Sequence, residues 1–181
     1  MTENQLEEKI ELAKDVTVTV DNFKVTAKGP AGEVSKVLMH PNLTVRTEDG
    51  FVIVTSNQVG RREKMHIKTF AAHIRNLVKG ASESFVYKLK ICSGHFPMSA
   101  SVKGDVFELK NFLGETVPRK LTLKPGAKVT LDGEFINVES VNKELAGQIA
   151  AELEKLTRIT NRDRRIFQDG IFIVEKAGKE V

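Results

Sequence analysis

The chain repeats itself, and this constrains its fold more than any other feature. Gly29-Pro30-Ala31-Gly32-Glu33 aligns with Asn111-Phe112-Leu113-Gly114-Glu115, Asp49-Gly50 aligns with Asp132-Gly133, and Thr69-Phe70-Ala71-Ala72-His73-Ile74-Arg75-Asn76-Leu77 aligns with Gln148-Ile149-Ala150-Ala151-Glu152-Leu153-Glu154-Lys155-Leu156. Three matched points in the same order at a nearly constant offset imply an internal duplication with a period of about 80 residues, longer than a solenoid repeat. The expected product is two small domains, residues 1–91 and 92–181 of the 181-residue chain. A unit of roughly 90 residues buries somewhat over 60% of its unfolded surface, enough for a modest core.

Periodicity fills in the elements. Val16 to Ala27 alternates apolar and polar around Asp21-Asn22, the pattern of a hairpin with one buried face. Leu43 to Glu48 and Phe51 to Val54 flank Asp49-Gly50, a dipeptide suited to the positive φ angles of a tight turn. From Arg62 to Val78 the apolar residues Met65, Ile67, Phe70, Ala71, Ile74, Leu77 and Val78 fall mostly at three- and four-residue steps, which predicts an amphipathic helix with Gly80 available to end it. Ser84 to Ile91 reads as a strand. Met98 to Leu109 alternates around Lys103-Gly104-Asp105, Val129-Thr130-Leu131 and Phe135 to Val138 flank Asp132-Gly133, a helix spans Lys143 to Leu156, and Gly170 precedes a strand from Ile171 to Val174. The fold class is α+β, with two similar tandem domains from internal duplication.

Composition narrows the functional classes. Hydrophobic residues make up 40% and charged residues 29%, so a core is available and general disorder is not expected. With no Trp and one Tyr, burial rests on ten Phe and the aliphatics. The single Cys, Cys92, excludes an intramolecular disulfide framework and fits a reducing interior. The acidic start Met1 to Glu8 lacks the basic residues and apolar run of a secretory signal, and no stretch approaches the ~18 apolar residues of a membrane span.

Enzyme signatures are thin. Cys92-Ser93-Gly94-His95 places a thiol three residues from an imidazole, but on a strand that spacing puts the side chains on opposite faces, so a small Cys at a strand end and a polar inter-domain turn is the better reading. His66 and His73 lie seven apart on the first helix without a third ligand in view, which fits solvated or packing histidines rather than a metal site. Lys28-Gly29-Pro30-Ala31-Gly32-Glu33 lacks the Gly-Lys-Ser/Thr ending of a phosphate-cradling loop and reads as a turn. Glu152 and Glu154 point apart on their helix and form no acid and base pair. Neither a cofactor nor a metal is expected.

One segment stands apart. Lys155 to Arg165 carries five cations and one anion, a net +4 that equals the charge of the whole chain. Four of the five are Arg, whose planar fork grips phosphate oxygens in pairs. Lys155 and Arg158 also complement a helix C-terminus, whereas Arg162, Arg164 and Arg165 lie beyond it. Clustering of this kind favours nucleic-acid contact over a plain charged surface. A weaker cluster, Arg61, Arg62, Lys64 and Lys68, opens the first helix, and Pro118-Arg119-Lys120 adds positive positions on a loop of the second repeat.

These motifs resemble a family. Thr160-Asn161-Arg162-Asp163-Arg164-Arg165-Ile166-Phe167-Gln168-Asp169-Gly170-Ile171-Phe172, with Asn111-Phe112-Leu113-Gly114-Glu115 and Pro118-Arg119, is similar to the hallmark of the universal large-subunit ribosomal protein L-six family, in its archaeal and eukaryotic form. Lys28-Gly29-Pro30 followed by Gly32 is similar to the first-domain motif, and the Tyr-Lys-Gly-Lys-Gly stretch of the bacterial branch is absent. The resemblance implies two similar domains, each a small, mostly antiparallel sheet with one helix packed on one face, in a structural, non-enzymatic component of the cytoplasmic ribosome that binds large-subunit rRNA mainly through its C-terminal domain. It places that contact near the sarcin-ricin loop and the factor-binding region, close to elongation factors, with neighbouring ribosomal proteins as partners and no membrane. The implied rRNA-gripping residues are Arg158, Asn161, Arg162, Arg164, Arg165 and Lys176, with Arg119, Lys120 and Asn111 on a nearby loop. A duplicated protein-interaction module docking an acidic partner is the alternative. Residues 1–91 hold 14 cations and 11 anions and residues 92–181 hold 14 and 13, so the expected RNA-binding half is the less basic.

Overall fold

The computed structural model describes residues 6–13, 15–48 and 50–181. The chain divides after Ser84 into two compact units. In the first, β1 (Leu6–Glu11), β6 (Phe51–Ser56) and β5 (Leu43–Glu48) form one antiparallel sheet in the order β1-β6-β5, while β2 (Thr17–Asp21), β3 (Lys24–Gly29) and β4 (Gly32–Val37) form another. Helix α1 (Arg61–Ser82) touches β1 and β6 of one sheet and β3 and β4 of the other. Both hairpins read from the sequence are present. Asn22 at φ 52° turns the first, and Gly50 at φ 84° turns the second, its neighbour Asp49 lying outside the described residues.

The second unit repeats this plan and extends it. Strands β7 (Phe85–Cys92), β8 (Ser99–Lys103), β9 (Val106–Lys110), β10 (Arg119–Thr122), β11 (Lys128–Asp132) and β12 (Phe135–Ser140) precede helix α2 (Lys143–Leu156), and β13 (Gly170–Lys176) and β14 (Lys179–Glu180) follow it. The sheets run β10-β9-β8 and β11-β12-β7-β13-β14. Registers match between the units: Glu48 faces Phe51 as Asp132 faces Phe135, and Ile10 faces Val52 as Leu89 faces Ile136. Ser56 and Ser140, both buried, hold the chain as it leaves β6 and β12, by hydrogen bonds from Gln58 N (3.2 Å) and Asn142 N (3.2 Å). Strand β13 has no counterpart in the first unit among the described residues.

The expected α+β tandem plan is present, and three details within it change. Phe85 to Ile91, expected in the first domain, lies in β7, which pairs with β12 on one side and β13 on the other and is the central strand of the second unit. The turn after Cys92 therefore lies inside that unit, between β7 and β8, and is not inter-domain. Each unit also holds two sheets rather than one, because β2 to β4 and β8 to β10 bury apolar faces of their own, with Val25, Ala27, Phe107 and Leu109 at most 1% exposed. Finally, α1 runs past Gly80 to Ser82. Its last turn packs on the β3–β4 turn, where Ala31 N donates to Ala81 O at 3.0 Å. A Cβ on Gly29 would lie 2.8 Å from the Ala81 carbonyl carbon, so glycine there serves close approach of a helix end.

The core of the second unit gathers Phe85, Tyr87 and Leu89 of β7, Phe107 and Leu109 of β9, Ile136 and Val138 of β12, and Ile149 and Leu153 of α2. Each fully buried side chain of this size contributes about 1.5–3 kcal/mol relative to exposure. Asn142 caps α2, its Oδ1 accepting from Glu144 N at 3.0 Å. No helix among the described residues is long and apolar enough to cross a membrane.

Candidate nucleic-acid interface

The Arg-rich segment is a loop clasped at its base. Thr157, 5% exposed, donates its hydroxyl to Glu154 O (3.1 Å) and accepts from Ile171 N (2.9 Å), tying the end of α2 to the start of β13. Between these points the chain turns at Asn161 (φ 59°) and again around Asp163, whose carbonyl accepts from Ile166 N and Phe167 N. Asp163 also receives Arg165 N at 2.9 Å and the Arg165 guanidinium at 2.7 Å. The Arg165 side-chain and backbone hydrogen bonds hold the Asp163 carboxyl below the usual carboxylate range. The Arg165 side chain nonetheless stays 90% exposed, and a pair so open to water adds little stability.

A second anchor lies 75 residues away in sequence. Asp169, 2% exposed, accepts from Gly94 N (2.5 Å), His95 N (3.0 Å) and His95 Nδ1 (2.5 Å). Burial pushes its carboxyl pKa up, but the His95 side-chain bond, the two backbone donors and the His95 charge outweigh that and leave it lowered. His95 stacks on Phe167 at 4.9 Å between centroids, and the Arg162 guanidinium lies 4.8 Å from the same ring. The order Asp169, His95, Phe167, Arg162 thus fixes the loop to the start of β8's approach.

Beside this column lies a hollow of about 1130 Å³ whose cations are Lys90, Lys155, Arg158 and Arg164. Arg158, Arg162 and Arg164 have no carboxylate partner among the described residues. Their forks are therefore available to phosphate oxygens. Lys176 sits exposed on β13, and Asn161 is exposed at its turn.

The other three expected contacts are differently employed. Arg119 gives Nε and Nη2 to Glu115 (2.8 and 2.6 Å), donates Nη1 to Leu156 O (2.6 Å) and stacks 4.2 Å above Phe112. That occupies three of its donors in holding a loop against the end of α2. The Arg119 hydrogen bond, opposed by some burial and aided by its charge, keeps the Glu115 carboxyl low. Asn111, at φ 59°, donates Nδ2 to Pro97 O at 3.0 Å. Lys120 lies 3.8 Å from Glu108 with its side chain 64% exposed.

Elsewhere the histidines of α1 separate in use: His66 packs 4.6 Å from His40, while His73 Nδ1 sits 3.1 Å from Lys36 Nζ. No grouping of three His, Cys, Asp or Glu suited to a metal ion occurs among the described residues. Arg61, Arg62, Lys64 and Lys68 are exposed at the start of α1. Sequence reading did not pair His95 with Asp169, because nothing local marks two residues that meet only through the fold.

Comparison with known proteins agrees with the duplicated plan. The family model described as Ribosomal protein L6 matches residues 12–84 and 96–170, one match in each half. Large ribosomal subunit protein uL6 of Methanococcus vannielii is 41% identical over 174 residues, covering 96% of this chain and 96% of that protein. Its namesake from Natronomonas pharaonis is 38% identical over 167 residues, covering 92% of this chain and 94% of that protein. Two matched repeats, with 38–41% identity to these archaeal proteins over more than nine-tenths of the chain, establish that the chain belongs to the ribosomal protein L6 (uL6) family.

Proposed function

We propose that the chain is a structural constituent of the large ribosomal subunit whose second unit grips large-subunit rRNA through the clasped loop 158–169. The reading includes a position near the sarcin-ricin loop and the factor-binding region, as the resemblance implies, with neighbouring ribosomal proteins alongside. One observation carries it: Arg158, Arg162 and Arg164 stand without carboxylate partners among the described residues, on a loop tied at its ends by the hydrogen bonds of Thr157 and Asp169. A pre-formed cationic edge loses little freedom on binding, and phosphate contacts release condensed counterions. Arg165, Lys176, Asn161 and Lys120 extend the edge, while Arg119 and Asn111 shape it. The chemistry is binding without turnover, and specificity comes from the shape of folded RNA.

Salt titration of binding to a large-subunit rRNA transcript tests this. With about four to six phosphates neutralised, log affinity falls against log salt with a slope on the order of −3 to −5. Replacing Arg162 and Arg165 by Gln makes the slope shallower by about one per lost contact, with the fold intact by circular dichroism. A flat salt response with high affinity for an acidic protein would favour the interaction-module reading instead.

A further inference from the structure

The sheet face turned away from α2 carries a cross-strand row that the Arg-rich loop leaves unexplained. Phe135 of β12 and Phe172 of β13 both stand opposite Lys90 of β7, so three adjacent strands present phenyl, ammonium, phenyl. Both rings are open to solvent, Phe135 at 42% and Phe172 at 39%, whereas their chain neighbours Ile136 and Ile171 are fully buried on the opposite face. Lys90 Nζ lies 5.9 Å from the Phe135 centroid and has no carboxylate partner among the described residues. Two residues along β12 on the same face, Asn137 Oδ1 is buried without a hydrogen-bond partner. The row is continuous with the cationic loop, since Lys90 and Phe172 line the same hollow as Arg158 and Arg164.

We propose that this row binds an unpaired stretch of RNA, two splayed bases stacking on Phe135 and Phe172 and the phosphate between them resting on Lys90. The strand then enters the hollow against Arg158 and Arg164. This rests on the rRNA reading above and adds a base-stacking site to it. Two rings separated by two strand spacings, roughly 10 Å, leave room for the lysine-held phosphate. Every base offers a π-face to such a ring, and only unpaired RNA presents those faces, since a duplex keeps its bases stacked on one another. The lysine supplies charge complementary to RNA.

The test compares the full chain with its Phe135→Leu/Phe172→Leu double variant on the same large-subunit rRNA transcript, reading affinity, salt slope and the dimethyl sulfate reactivity of unpaired bases. The double variant should bind about tenfold or more weakly with an unchanged salt slope, and at least one unpaired base shielded by the original chain should become reactive. Equal affinity and an identical footprint, with the salt slope intact, would overturn the stacking site and leave rRNA binding standing. No salt-dependent binding by the original chain would remove both. Should the double variant lose its fold, Lys90→Gln decides: the slope becomes shallower by about one if the phosphate rests there, and stays the same if it does not.

Discussion

At the scale of the residue, Asp169 links two segments that never approach in sequence. Its carboxylate satisfies both backbone donors of the Gly94-His95 turn and fixes the His95 ring against Phe167. Since the pKa is lowered despite burial, the folded chain binds this proton less readily than the unfolded one. The resulting stability is present in full above the unfolded value of about 3.9 and is lost as pH falls through the depressed folded value. Asp169→Asn should therefore cost about 1–3 kcal/mol at neutral pH, because a charged acceptor of three donors is weakened in a buried place. Urea denaturation across pH 7 to 3 reads this as a gap between variant and original that narrows below about pH 4. A gap independent of pH would show that the residue acts through shape alone.

At the scale of the element, what was legible was what is local. The turns at Asp21-Asn22, Lys103-Gly104 and Asp132-Gly133 appear where the sequence reading put them, with Asn22, Gly104 and Gly133 all at positive φ. Helix α2 begins and ends as expected because its cap and its apolar stripe are its own. Helix α1 overruns Gly80 because the β3–β4 turn donates Ala31 N to the Ala81 carbonyl in its last turn, a contact that no local pattern encodes. The same division runs through the site. Charge clustering located the loop, while the roles of its neighbours depended on tertiary partners. Arg119 is the clearest example, since a cation expected at RNA also caps the end of α2, donating to Leu156 O while clamped by Glu115. Arg119→Gln should cost about 1–2 kcal/mol, as a neutral amide cannot reproduce the charged planar fork on both partners. Thermal melting and RNA titration separate the roles: a lowered melting temperature with an unchanged salt slope assigns it to the fold, and the reverse pattern assigns it to phosphate.

At the scale of the whole molecule, the boundary and the charge explain one another. Divided after residue 91, the half expected to bind RNA is the less basic. Divided after Ser84, where the contacts place the boundary, β7 brings Lys88 and Lys90 with it, and residues 85–181 hold 16 cations against 13 anions. The strand that corrects the charge also carries the fold. β7 lies between β12 and β13, and its Phe85, Tyr87, Leu89 and Ile91 enter the core. A fragment beginning at residue 92 would expose the facing edges of β12 and β13 and lose four buried side chains, a deficit on the order of 6–12 kcal/mol at 1.5–3 kcal/mol each. That is comparable to the total stability of an ordinary small domain, about 5–15 kcal/mol. Residues 85–181 should thus melt cooperatively as an isolated domain and bind the rRNA transcript with the salt slope of the full chain, whereas residues 92–181 should show no cooperative transition. Circular dichroism melting of the two fragments measures the difference. Cooperative folding of the shorter one would return β7 to the first unit, and loss of RNA affinity by a folded 85–181 fragment would mean that residues before Ser84 share the contact.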